Sequence, residues 1–370
     1  MHVARLITAF MLLATGVQPA HAGLAEADKA FDSGMYTNAY REYRSLAESG
    51  NADAQYRLGE MYNSGKGLPE NHKKATSWYR EAALQDHPAA QNKLGVAYRD
   101  GRGIAADSSE AFLWLQKAAD NGDVDGQTNL AMLYDHGEGT QQDLDKAADL
   151  YKLAAANGSA TAQFGLGSAY LYGKGLQQNP EMGMIWLTRA ANQGNLASMK
   201  LIASIYDSGN IISQDYNKAL SWYSKAATEG DAFAENRVGE MYRDGLGTRT
   251  DYKTSMVYFR KSAAQGNADA QLNIGLMYFS GLGVKQNDRE AVSWIRRAAN
   301  QDNPQAQYAL GLAYAGGIGT HYDYNRADHL LREAEKNGIS GASEQRSLLA
   351  EERDAREARR KQMLQSTPQL

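Results

Sequence analysis

Side chains able to do chemistry are sparse in this chain and poorly grouped. Asn121-Gly122-Asp123-Val124-Asp125-Gly126 has the acid and glycine spacing that opens a calcium-binding EF-hand loop. Position twelve of such a loop needs a bidentate acid, and Met132 stands there. These acids are therefore expected to cap the next helix, where a carboxylate accepts the orphan N–H groups of the first turn. His321 and His329, with Asp323 and Asp328 beside them, form the other pairing with metal-ligand chemistry. They straddle a turn and a helix start and read as surface residues, so no metal site is expected. His72, His87 and His136 fall near turns of separate segments. G-x-S-x-G, H-E-x-x-H and Ser-x-x-Lys are all missing from the sequence. Pairs of the form G-x-G recur, but they follow helical segments rather than strands, which makes them turn glycines. No catalytic residue, no cofactor and no enzymatic activity are expected.

The elements that hold these residues follow a repeat of 36 residues, without insertion or deletion. Tyr62, Tyr98, Tyr134, Tyr170, Tyr206, Tyr242, Tyr278 and Tyr314 mark it. A fixed period of this length predicts a solenoid, whose units bury their apolar faces by stacking on one another. The units run 54–89, 90–125, 126–161, 162–197, 198–233, 234–269, 270–305 and 306–341. Each opens on a small residue, such as Ala54. A branched aliphatic follows four positions on (Leu58), then Gly or Ala (Gly59), then the tyrosine. These offsets share one helical face. Gly65, Gly101 and their equivalents are expected as left-handed stops to the first helix. A second helix follows, with small residues at Ala75, Ala111 and their equivalents. All 5 tryptophans of the protein fall in one column of it: Trp78, Trp114, Trp186, Trp222 and Trp294. Each unit is thus predicted to be a helical hairpin with one large buried aromatic on each arm.

The pattern A-x-x-x-L-G-x-x-Y-x-x-G-x-G, followed by A-x-x-W and A-A-x-x-G, resembles the Sel-one-like repeat, a relative of the tetratricopeptide repeat. The resemblance spans 54–341. It implies an all-α fold, a right-handed superhelical α-solenoid of stacked antiparallel helical hairpins. It also implies a role in assembling protein complexes, often in bacterial envelopes. Some relatives are tied to β-lactams, and those carry a cysteine pair in each repeat. This chain has 0 cysteines.

The ends depart from the repeat. Arg5, the apolar run Leu6 to Val17 and Ala20-His21-Ala22 read as a signal peptide over 1–22, with Gly23 as the mature start. The apolar run is too short to span a bilayer. Export across the inner membrane is expected, into the periplasm if the source is a Gram-negative bacterium. Residues 23–53 hold one further hairpin, closer to an ordinary tetratricopeptide unit. Residues 342–370 are expected to form a solvated capping helix and charged tail. The net charge of −4 offers no basic face for nucleic acid.

In tetratricopeptide geometry the outer face of each first helix lines a concave groove. Here those positions lie six and two before the tyrosine and one after it. They are Tyr56, Glu60 and Asn63 in the first unit, Asn92, Val96 and Arg99 in the second, and Asn236, Glu240 and Arg243 in the sixth. In the last two units they turn apolar. Leu272, Leu276, Phe279, Tyr308 and Leu312 are the candidate groove for a partner helix or peptide, unless the helix at 342–364 folds back to cover them. The leading reading is a secreted, non-enzymatic scaffold that binds other proteins, with cell-envelope proteins as partners. A second reading is a binder of peptidoglycan or exported polysaccharide, stacking sugars on Tyr56, Phe164, Tyr172 and Tyr308. A third, a β-lactamase-like hydrolase, has no motif behind it.

Overall fold

The computed structural model describes residues 19–366, and all its regular structure is helical. Most of the expected leader, including Leu6 to Val17, lies outside the described residues. Helices α1 (Pro19–Asp32) and α2 (Tyr36–Glu48) form the leading hairpin. The repeats begin with α3 (Ala52–Ser64) and α4 (His72–Ala83), α5 (Pro88–Asp100) and α6 (Ser108–Asp120), α7 (Val124–His136) and α8 (Leu144–Ala156), α9 (Ala160–Tyr172) and α10 (Pro180–Asn192). They continue with α11 (Leu196–Ser208) and α12 (Tyr216–Thr228), α13 (Ala232–Asp244) and α14 (Tyr252–Ala264). Then come α15 (Ala268–Ser280) and α16 (Asp288–Ala299), and α17 (Pro304–Gly316) and α18 (Tyr324–Lys336). The last helix is α19 (Ala342–Ser366). The chain divides into two compact bodies at Asn195 and Leu196. In each, successive helices pack as antiparallel neighbours.

Helix boundaries follow from caps. Asn71, Asp107, Asp143, Asn179, Asp215, Asp251, Asn287 and Asp323 each accept a first-turn N–H of a second helix. One such cap is worth about 1 kcal/mol. First helices start two residues before the small residue that opens each sequence unit. The predicted glycine stops are present, as at Gly65, which ends α3 at φ +68°. The second glycine of the pair has a different task. A methyl on Gly139 would lie 2.0 Å from the Ser108 carbonyl oxygen at the start of the preceding unit's second helix. Only a bare backbone lets consecutive hairpins approach that closely.

Burial corrects the expectation for the two aromatic columns. Trp114 and Tyr314 are buried, but Trp78, Trp186, Trp222, Trp294 and the other repeat tyrosines stay half-buried at the edge of the core. The interior belongs to the residue after the tryptophan column: Tyr79, Leu115, Tyr151, Leu187, Tyr223, Phe259, Ile295 and Leu331, none more than 5% exposed. Neighbours on a helix point about 100° apart, so only one of the two can face inward. This column presses on the glycine of the first helix. A methyl on Gly239 would stand 2.6 Å from the Phe259 ring, and one on Gly95 2.6 Å from Leu115 Cγ.

In the first body a polar column ties each of the first four units to the hairpin before it. Gln55, Gln91, Gln127 and Gln163 are buried, and each Nε2 donates to a carbonyl eight residues back, at Ala47, Ala83, Ala119 and Ala155. Three of these side-chain oxygens accept in turn from Gln85, Asn121 and Gln193, thirty residues on, at 2.7–2.8 Å. The buried amide thereby closes the end of one helix and the start of the next.

Helix α19 continues the register rather than ending it. Ala342 and Leu349 stand one period after Ala306 and Ala313 and are buried, at 0% and 4% exposure. Arg346 takes the branched-aliphatic position and pairs with Asp328 and Glu335 on α18. The helix stacks where the first arm of a further repeat would lie, and residues 354–362 are exposed.

Candidate functional site

The outward row of the first helices differs between the two bodies. In the first body, Tyr56 is half-buried and stacks on the His87 ring at 4.8 Å. Burial, then the nearby Glu60, push its phenol up to about 12. His87 is itself the cap of α5, accepting from Ala90 N–H at 3.1 Å through Nδ1. Glu60 accepts from the Tyr79 hydroxyl and lies 3.3 Å from Lys93. Next along the row, Asn129 donates to Asn92 at 2.9 Å and accepts from Arg99 at 3.3 Å. Among the expected sugar-stacking residues, Tyr172 is 52% exposed while Phe164 and Tyr308 are half-buried.

The second body repeats the asparagine ladder. Asn273 donates to Asn236 at 3.0 Å and accepts from Arg243 at 2.8 Å. Charge is added around it. Glu240 accepts from Asn236, Asn273 and Arg237, and Arg237 also reaches Asp207. Asn129 and Asn273 escape a reading confined to the three outward positions, because they sit on the flank of the helix. Their identity at equivalent places in units three and seven is the signal that finds them.

Beyond the ladder the surface turns apolar. Leu272, Phe279, Tyr308 and Leu312 are half-buried and pack against the core of Leu310, Tyr314, Leu331 and Leu349. Leu276 is 41% exposed. The α19 helix packs on α17 and α18 as the next helix in the stack. It contributes Leu348, 47% exposed and in the same register as Leu276 and Leu312. A cavity of about 360 Å³ lies between α17 and α19, lined by Leu312, Ala315, Leu348 and Leu349, with Glu351 and Glu352 at its edge.

The metal-like clusters resolve into caps. Asp123 Oδ1 accepts from Gly126 N–H at 2.6 Å at the start of α7. Burial pushes its carboxyl up, against that hydrogen bond. Asp323 caps α18, and His321 stands 3.9 Å from it and largely exposed. Among the described residues no group of three or more His, Cys, Asp or Glu is placed to hold a metal ion, and no helix is long and apolar enough to cross a membrane.

The Sel1 repeat profile matches eight segments: 52–87, 88–123, 124–159, 160–195, 196–231, 232–267, 268–303 and 304–339. No curated protein matches the chain. Among solved structures, c5321 of uropathogenic Escherichia coli, described as a protective antigen with an SLR fold, is 32% identical over 84% of this chain and 67% of that one, with a TM-score of 0.74. A Sel1 repeat protein from Oxalobacter formigenes is 29% identical over 91% of this chain and 95% of that one, with a TM-score of 0.64. The tetratricopeptide-repeat sensor protein PH0952 of Pyrococcus horikoshii shares the fold at 14% identity and a TM-score of 0.54, over 88% of this chain and 53% of that one.

Proposed function

This chain belongs to the Sel1 repeat family, and from that premise we propose that it is a non-enzymatic scaffold that binds other proteins through the first-helix face of its last repeats. The observation that carries this reading is the row Leu276, Leu312 and Leu348. Its two outer members are 41% and 47% exposed, and they stand in register on α15, α17 and α19. An apolar strip with this spacing suits an amphipathic helix or an extended peptide, whose side chains enter the gaps between helices. Glu351 and Glu352 beside the α17–α19 cavity favour a basic residue flanking the apolar ones.

The leader-like residues 1–22 support export, and the description of the Escherichia coli relative as a protective antigen agrees with an exported place of action. On that reading the partners are cell-envelope proteins. Affinity capture from the native envelope tests it, with the Leu276→Asp, Leu348→Asp double variant as control. Both substitutions are on exposed side chains, so the circular dichroism spectrum should be unchanged while the specific partner is lost. An identical capture profile from the variant would remove this face from the account.

A further inference from the structure

The tyrosine and tryptophan columns line shallow cavities on the second-helix side of the hairpins, away from the face described above. Two of these cavities are repeat-equivalent, seven units apart. The first, of about 320 Å³, is lined by Arg44, Glu48, Tyr62, Lys74, Ser77 and Trp78. The last, of about 450 Å³, has Arg296, Asn300, Tyr314, Arg326, His329 and Leu330 in the same places.

Three differences act in one direction. Glu48 ion-pairs with Arg44 at 2.7 Å, whereas Asn300 leaves Arg296 with no carboxylate within 4.0 Å among the described residues. His329 replaces Ser77 and adds a third basic group. Leu330 replaces an indole and leaves room over the apolar floor made with Leu310. No other unit combines these features. The second and seventh carry Glu110 and Glu290 at the Arg326 position, and each of these carboxylates accepts from the unit's own tryptophan, at 3.1 and 3.0 Å. The third carries Asp120 and Asp149 at the Asn300 and His329 positions.

The basic groups converge. Arg296 Nη2 and Arg326 Nη1 both donate to the Tyr314 hydroxyl, at 3.3 and 3.0 Å. Burial would raise that phenol, but the two guanidiniums outweigh it and hold it below its ordinary value. The counter-charges are few: Asp323 lies 3.4 Å from Arg326 Nε, Glu333, one turn after His329 on α18, is taken by Lys336 at 2.8 Å, and Asp328, next to His329 in sequence, pairs with Arg332 and Arg346. Two guanidiniums fixed on one neutral oxygen keep unspent donors for an anion.

We propose that the cavity between α16, α17 and α18 binds a small organic carboxylate, its charge held by Arg296 and Arg326 with His329 at the rim and its apolar body resting on Leu310 and Leu330. The size is that of a small-ligand site. The cations are exposed, so binding weakens as salt rises. This proposal is independent of the protein-binding face, because none of these residues lies on it.

Fluorescence titration with 1-naphthoate, and with its neutral amide 1-naphthamide, tests the proposal on the full chain at low salt. The wild type should bind naphthoate saturably in the micromolar to low-millimolar range and the amide at least tenfold more weakly. Asn300→Glu restores the acid of the first unit, and Leu330→Trp restores its indole. Both keep the arginines and the tyrosine, and both should lower naphthoate affinity at least tenfold with unchanged thermal unfolding. Arg326→Gln should do the same. Absence of saturable binding, equal affinity for the amide, or wild-type affinity in all three variants would overturn the proposal. So would loss of capture partners in Asn300→Glu, since that would make the pocket part of the other surface.

Discussion

The asparagine ladder of the first body and its copy four repeats later in the second share a backbone and differ in what surrounds it. Asn92, Asn129 and Arg99 in one match Asn236, Asn273 and Arg243 in the other, bond for bond. Underneath, Leu115 against Gly95 matches Phe259 against Gly239. The outward position between the asparagines is Val96 in the first body and Glu240 in the second, where it gathers three donors. The buried glutamine Gln91 is answered by Glu235. The scaffold therefore tolerates a change of charge on its lining face without a change of hairpin geometry, which is what a family of binding surfaces on one frame requires.

Removing the buried side chain should break the comparison most severely. Phe259→Ala is expected to destabilise the second body by about 3–5 kcal/mol and Leu115→Ala the first by about 2–5 kcal/mol. Amide hydrogen exchange in α13–α14 and in α5–α6 reads the two separately, which matters because repeat arrays need not unfold in one step. Adding volume should cost less. Gly239→Ala and Gly95→Ala each place a methyl 2.6 Å from the facing side chain and should lower stability by about 1–3 kcal/mol by the same measurement.

Glu235 supplies a pH test that Gln91 does not. Burial raises its carboxyl, and the hydrogen bond from Gln265 only partly opposes this. The folded protein thus holds this proton more tightly than the unfolded chain. Stability should fall as pH rises from the ordinary carboxyl range through the raised folded value, then stay level. Glu235→Gln should abolish that slope and be the more stable form at neutral pH, since its amide gains the carbonyl bond made by Gln55, Gln91, Gln127 and Gln163. Urea denaturation between pH 4 and 8 checks it, and a slope retained in the variant would assign it to another group. The smallest effect is expected from Val96→Glu, which grafts the second lining onto the first at a half-buried position packed on Leu115 and Leu130 and should cost about 1 kcal/mol.

Much of the frame was legible in the sequence because its constraints are strict. A positive-φ stop accepts glycine almost alone, so Gly65 and its equivalents announce the turns. The core column was not legible by type. Tyr79, Leu115, Phe259 and Ile295 fill the same space with different shapes, whereas four of the five tryptophans draw attention from the core's edge. The glutamine column was visible at constant spacing, yet its task appears only when the facing carbonyl is placed. The lining face was legible as the variable one, and its apolar turn at Leu272, Leu276, Phe279, Tyr308 and Leu312 was read directly. That α19 stacks as a further helix and adds Leu348 follows from carrying the register past Gly341, where Arg346 disguises it.

Site-specific photocrosslinking at Leu276 in the native envelope tests the central claim most directly, with the same probe at Val96 as the internal comparison. The account predicts one protein partner cross-linked from Leu276, lost when Leu348 is also changed to Asp, and none from Val96. Cross-links of equal yield from both positions, or partner binding that persists in the Leu276→Asp, Leu348→Asp variant, would contradict it.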